Sequence, residues 1–225
     1  MDRKHIDQEF ESELERLRER VLLMGARVEE MMRHAMRAFS DQNTRLARDV
    51  IASDYLVDQL ELEIDEACLQ ILARRQPVAS DLRFITTTLK LVTDLERIGD
   101  LCVNLCERVV ELGTDQPPQT SPIPRIAEAA HGMLHDALDA FVARDAVRAQ
   151  DVLGRDRIVD AYYAQLFPEL VARMMADSQL VFRSTRLLSI GKYLERIADH
   201  ATNIAEMVVF MVKGQDVRHG GHGHT

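Results

Sequence analysis

"LERIGDLCVNLCERVV", residues Leu95 to Val110, returns 99 positions later as "LERIADHATNIAEMVV", Leu194 to Val209. Leu95, Glu96, Arg97, Ile98, Asp100, Asn104, Glu107, Val109 and Val110 recur unchanged in the second copy. Packing accounts for the apolar matches. Leu91, Leu95, Ile98, Cys102, Leu105 and Val109 advance in alternating steps of four and three, the spacing of a helical seam. It does not account for the acids. Glu96 and Asp100 lie four apart and share one helix face. That face is turned about 140–180° from the centre of the seam, and Asn104 continues it. Glu195, Asp199 and Asn203 repeat the arrangement. The expectation is a stripe of oxygen ligands looking away from the core, built twice.

The preceding helix of each copy carries a matching device. "DYLVD" (Asp54 to Asp58) and "DRIVD" (Asp156 to Asp160) again place acids at i and i+4. Two carboxylates on one turn repel each other unless a cation lies between them. Four from two neighbouring helices suit a hard cation such as Mg, Mn, Ca or Fe, which prefers carboxylate and amide oxygen. A single pair of this kind is an ordinary solvated face. Recurrence on two helices in both halves is what points to metal. Glu61 and Asp65, also four apart, lengthen the acid face of the first copy and read as solvated surface.

The helical pattern extends outward from these motifs. Leu14, Leu17, Val21, Met24, Val28, Met31 and Met32 keep helical spacing along a first helix from about Gln8 to Phe39. "SDQN" interrupts it, offering Ser40 or Asp41 as a cap for a second helix that Pro77 stops near Arg75. Ser80 is the expected cap of the third, ending near Gly113. The plan then repeats over Ile123 to Ala143, Asp145 to Ala176 and Ser178 to Val212. Second helices match at an offset of 102 (Asp49 with Asp151, Val57 with Val159) and third helices at 99. Internal duplication is therefore the architecture. The fold class is all-α, a tandem repeat of two three-helix bundles. The expected divisions are residues 1–113, a Pro-rich linker at 114–124, a second bundle at 125–213, and a Gly/His-rich disordered tail at 214–225.

A formal net charge of −9 argues against nonspecific binding to nucleic acid. The three cysteines, Cys68, Cys102 and Cys106, cannot all pair and are expected as buried free thiols. "MDRKHIDQEF" lacks the apolar core of a signal peptide, and no run is long enough to cross a bilayer. A cytoplasmic protein is expected, meeting a membrane only through partners.

"RRQPVASDLR" (Arg74 to Arg83), "LERIGD" (Leu95 to Asp100) and "YLERIADHATNIAE" (Tyr193 to Glu206) resemble the PhoU family, accessory regulators of bacterial phosphate uptake. The likeness runs from about Phe10 to Lys213. It implies two three-helix bundles, frequent homodimerisation, and E/D-x-x-x-D motifs that hold metal clusters on the bundle surface. Carried over by position, the metal ligands are Asp54, Asp58, Glu96, Asp100, Asp156, Asp160, Glu195 and Asp199, for ions such as Fe, Mn, Mg or Zn. The resemblance also implies a role and no reaction. Such proteins restrain the phosphate-starvation two-component system, acting between the phosphate ABC transporter's ATPase subunit and the sensor histidine kinase. Gly99 stands where the second copy has Ala198, a difference expected to be trivial. The second copy lacks the Arg-Arg-Gln-Pro turn. Arg74, Arg75 and Arg83 are candidates to meet an acidic partner or an anion near the third helix's N-terminus, against the plainer reading that they complement helix dipoles.

Enzymatic alternatives lack their parts. A di-iron carboxylate bundle needs two inward Glu-x-x-His motifs, and one is present, Glu128 to His131. His131 and His135 share a face yet form only a pair. No G-x-x-x-x-G-K-[ST] loop occurs. The surviving rival is a metal-free helical adaptor whose acid faces meet a basic partner.

Overall fold

The computed structural model describes residues 3–114 and 122–214 of the chain. Helix α1 spans Arg3–Ser40, α2 Thr44–Ser53, α3 Tyr55–Arg74 and α4 Ala79–Leu112. The second half contains α5 Pro122–Ala143, α6 Ala146–Ala176, a single 3-10 turn at Ser178–Leu180, and α7 Val181–Lys213. No strand occurs among the described residues. Of the expected linker, 115–121 lie outside the described residues, as do 215–225 of the expected tail. Pro122 and Pro124 are not linker: they form the first turn of α5, where a missing N–H costs nothing.

The apolar periodicity holds in space. Leu14, Leu17, Val21, Met24, Val28, Met31 and Met32 are all buried along α1, and the six seam residues of α4 are buried with them. Each such side chain contributes roughly 1.5–3 kcal/mol. Met31 and Met32 are therefore core, whereas Met175 is 84% exposed. Cys68, Cys102 and Cys106 are buried and free. Burial pushes the thiols of Cys68 and Cys106 up to about 12.

The turns differ from the expected caps in an instructive way. Asn43, not Ser40 or Asp41, caps α2, its Oδ1 accepting from the Leu46 N–H at 3.0 Å. Helix α1 runs on to Ser40, and Gln42 then takes a left-handed φ of 50°. The α5–α6 turn copies this at the same 102 offset. Arg144 has φ 51°, and Asp145 accepts from the N–H groups of Val147 and Arg148 at 2.9 and 3.0 Å. Backbone bonds match too: Asn43 N–H to Ala38 and Asp145 N–H to Ala140, both at 2.9 Å. Ser80 does not cap α4; it lies inside the first turn, and Val78 is the capping position.

Helix two is continuous in the second repeat, even through Pro168, but broken at Asp54 in the first. There the Val57 N–H bonds the Asp54 carbonyl at 2.7 Å, a tightened i+3 turn. The break sits where the D-x-x-x-D motif begins.

Helices α4 and α7 form the centre, each packed on the helices of its own repeat and on each other. Arg83 meets the Met211 carbonyl, Asp94 meets His200, and Glu111 meets Arg186, so the two run antiparallel. This register sets Ile98 opposite Ile197, equivalent residues of the two copies and both fully buried. The halves are thus related by an approximate two-fold at the midpoint of the two E-x-x-x-D motifs. Helices α1 and α5 cross antiparallel as well, with His135 Nδ1 2.9 Å from Glu29 Oε1. Gly191 permits the close approach of α6 to α7, since a Cβ there would lie 2.3 Å from Leu166 Cδ2.

Candidate metal centres

The eight predicted ligands gather into two clusters, one per repeat. In the first, Asp54 heads α3 beside the break, Asp58 follows one turn later, and Glu96 and Asp100 face them from α4. Their mutual repulsion shows the proximity. The Asp54 carboxyl is raised from 3.8 to about 6 by burial, then by Asp58 and Asp100. Glu96 is raised from 4.5 to about 7 by burial, then by Asp100, with Glu61 and Asp58 adding and Arg97 opposing. In the second cluster, burial and then Glu195 and Asp156 raise Asp199 to about 6, against Lys192. Asp156 is raised by burial, Asp160 and Glu195. Burial comes first in each case and like charge second, with Arg97 and Lys192 only partly offsetting them.

These acids are less exposed than a stripe facing away from the core. Glu96 is 18% exposed and Glu195 14%, while Asp100 is 42% exposed. The reason is the neighbouring helix: α3 and α6 lean over one edge of the stripe and turn it into the wall of a groove. At Gly99 a Cβ would stand 3.3 Å from Asp54 Oδ1, the movable end of a side chain, and Ala198 fills the equivalent place in the second repeat.

The donor set fits a hard cation, being all oxygen and negatively charged. Asp65 Oδ1 is sheltered and bonds nothing in the protein. Among the described residues, however, no three Asp, Glu, His or Cys side chains are gathered closely enough to hold an ion as they stand. Arg97 occupies part of the first cluster, 3.4 Å from Glu96 and 3.1 Å from Asp100.

Glu61 was read as solvated surface but belongs to the first cluster. Burial and Asp65 raise its carboxyl, the nearby Thr93 hydroxyl partly offsetting them. Lys192 was missed altogether. Its Nζ lies 2.7 and 2.5 Å from the two oxygens of Glu195, and 5.6 Å from the Tyr163 ring centre. The 99 offset, pairing Lys192 with Thr93, was the available signal. Asn203 leaves the acid stripe and donates to Asp94 across the repeats at 3.1 Å.

The three arginines go elsewhere. Arg75 pairs with Glu9 at 2.9 Å and Glu13 at 3.1 Å. Arg83 donates to the Met211 carbonyl at 3.3 Å, near the end of α7. Only Arg74 stays exposed, on the wall of a groove of about 480 Å³ between α1 and α3. His131 and His135 lie at the α1–α5 crossing, His135 between Glu29 and Asp139. No described helix is long and apolar enough to cross a membrane.

Two tandem helical units, each bringing acids of its second and third helices near one another, define a duplicated all-α scaffold. A family model described as "PhoU domain" matches it twice, at residues 21–109 and 123–208. The chain belongs to the PhoU family, which comprises regulatory accessory proteins and not enzymes. It is 41% identical over 219 residues to a Phosphate-specific transport system accessory protein PhoU homolog of Pseudomonas putida, covering 96% of this chain and 86% of that one. The Escherichia coli accessory protein PhoU is 38% identical, with 97% and 91% covered. The crystal structure of PhoU from Pseudomonas aeruginosa superposes with a TM-score of 0.88 at 40% identity, covering 92% of this chain and all of the other. A phosphate transport system regulatory protein PhoU from Streptococcus pneumoniae gives 0.86 at 30% identity, with 92% and 99% covered.

Proposed function

We propose that this protein is a negative regulator of the phosphate-starvation response and a modulator of phosphate uptake. In this reading it acts as a metal-binding adaptor between the phosphate ABC transporter's ATPase subunit and the sensor histidine kinase. Its relatives carry names of phosphate-transport accessory and regulatory proteins, which supports the coarser role. The observation that carries the finer reading is the pair of duplicated carboxylate clusters, in which Asp54, Glu96 and Asp199 are raised above the usual carboxylate range by burial and by neighbouring acids. A divalent or trivalent ion, Fe, Mn, Mg or Zn, would replace their protons and supply the missing positive charge. Asp54, Asp58, Glu96 and Asp100 would hold it in the first repeat, and Asp156, Asp160, Glu195 and Asp199 in the second. A homodimer in the cytoplasm belongs to the same reading.

The test is metal analysis of untagged protein lacking 214–225, against an Asp100→Ala/Asp199→Ala variant. Metal that the substitutions remove supports the centres; metal content that ignores them sinks the centres. Deleting the gene in its host should derepress phosphate-scavenging genes in plentiful phosphate, and unchanged repression defeats the regulatory role. A second reading is a metal-free adaptor that meets a basic partner surface through the acid grooves. That no three acid side chains among the described residues are gathered closely enough to hold an ion favours it.

A further inference from the structure

Helix α3 is apolar on two opposite faces, and the fold uses one of them. Val57, Ile64, Cys68 and Ile71 are buried against the bundle. Tyr55, Leu62 and Leu69, spaced by sevens, lie on the far side and are 62%, 70% and 61% exposed. Seven residues make nearly two helical turns, so the three form a ridge about 21 Å long. Packing does not demand it. At the 102 offset the second repeat has Arg157, Ala164 and Val171 in these places. Yet α6 buries Val159, Leu166 and Leu170 just as α3 buries Val57, Ile64 and Cys68. The first repeat presents an apolar ridge that its own duplicate does without.

The ridge has an acidic border. At roughly 100° per residue, Asp58 and Asp65 fall about 40–60° to one side of it, and Gln59 and Glu66 as far to the other. Helix α3 carries Asp58, Glu61, Glu63, Asp65 and Glu66, and no Lys or Arg precedes Arg74 at its end. The neighbouring cations are engaged elsewhere. Arg20 pairs with Glu63 at 3.4 Å, Arg16 donates to the Ser12 carbonyl at 3.1 Å, and Arg97 lies against Glu96 and Asp100. Asp65 Oδ1 has no hydrogen-bond partner, and Glu66 accepts from the neutral Gln70 amide at 2.9 Å. In α6 the border is gone as well, Phe167 and Pro168 standing in place of Asp65 and Glu66.

An apolar helical ridge between acidic edges is complementary to a helix with an apolar stripe between basic edges. A second copy of this chain would set acids against acids along the contact. We infer that the outer face of α3 is a docking surface for a basic amphipathic helix of a partner protein. The partner's apolar side chains cover Tyr55, Leu62 and Leu69, and its Lys or Arg side chains meet Asp58, Asp65 and Glu66. The inference rests on the adaptor reading for the existence of a protein partner, and no metal takes part in it.

The experiment is calorimetric titration of the full chain, in chelator, with synthetic three-heptad helical peptides. One has leucines at heptad spacing flanked by lysines, a second has the same composition scrambled, and a third has glutamate for each lysine. The first should bind one to one, and the other two at least about tenfold more weakly. Leu62→Ser/Leu69→Ser should weaken the first peptide about tenfold or more, because two apolar contacts are lost. Asp65→Asn/Glu66→Gln should weaken it and reduce its salt dependence, and carries the test should the serine variant fold poorly. Ala161→Ser/Ala164→Ser, on the corresponding face of α6, should change nothing. Equal binding of the scrambled peptide, or indifference to Leu62→Ser/Leu69→Ser, overturns the inference. So does a wild-type dimer in sedimentation that Leu62→Ser/Leu69→Ser dissociates, which assigns the face to a second copy. Those failures leave the regulatory role to stand or fall by the gene deletion.

Discussion

Removing one charge from the first groove should stabilise the metal-free protein, and only above a definable pH. The Glu96 carboxyl rises from 4.5 to about 7 in the folded chain because burial and Asp100 disfavour its charged form. In the unfolded chain it ionises near its ordinary value. Well below pH 4.5 both states are protonated and the group is silent. Between there and about pH 7 the unfolded chain releases the proton while the fold retains it, so stability falls as pH rises. Above about pH 7 the penalty is complete, at about 3 kcal/mol from the rise alone. Sharing of protons among the coupled acids reduces this to about 2 kcal/mol. Glu96→Gln keeps the shape and removes the charge. In chelator-treated protein at about pH 8 it should raise Tm by about 4–8 °C for a chain of this length, and by almost nothing at about pH 3.5. Millimolar Mg²⁺ should produce a similar rise in the wild type and little in the variant. Scanning calorimetry at both pH values decides it. An equal gain at both, or a loss at the higher pH, would refute the electrostatic reasoning.

Asp145→Ala removes the acceptor of two N–H groups at the start of α6 and should cost about 1 kcal/mol in chemical denaturation, with no effect on oligomeric state. Ile197→Ala opens a cavity at the crossing of α4 and α7, where Ile197 is fully buried, and should cost about 2–4 kcal/mol by the same assay. All three thiols are buried and those of Cys68 and Cys106 are pushed up to about 12. Iodoacetamide should therefore leave the native protein unlabelled and modify three sites after denaturation, as read by mass spectrometry.

Long-range order was legible because it is periodic. The seam from Leu91 to Val109 and the α1 stripe from Leu14 to Met32 repeat often enough for spacing alone to locate the core. Caps were not, because "SDQN" offers several competent side chains. The choice of Asn43 depends on the left-handed Gln42, which local sequence does not announce. The break at Asp54 was equally silent, for the same motif runs unbroken through Asp156. At the candidate site the eight acids were found from their repetition, and repetition also hid what is particular. Glu61 and Lys192 have no acidic or basic counterpart in the other copy, so a search for matches passes over them. Their importance comes from two helices meeting, a tertiary fact. Arg75 and Arg83 illustrate the converse, cations conspicuous in sequence that the fold uses to tie its own ends.

Ile98 and Ile197 sit in the middle of the two acid motifs and at the same time hold the repeats together. Each acid-bearing turn is thus also part of the seam between the repeats. A force that pulls Glu96 toward α3, or Glu195 toward α6, reaches the joint between the halves within a single turn of helix. A substitution in either acid motif therefore also bears on the packing between the two repeats.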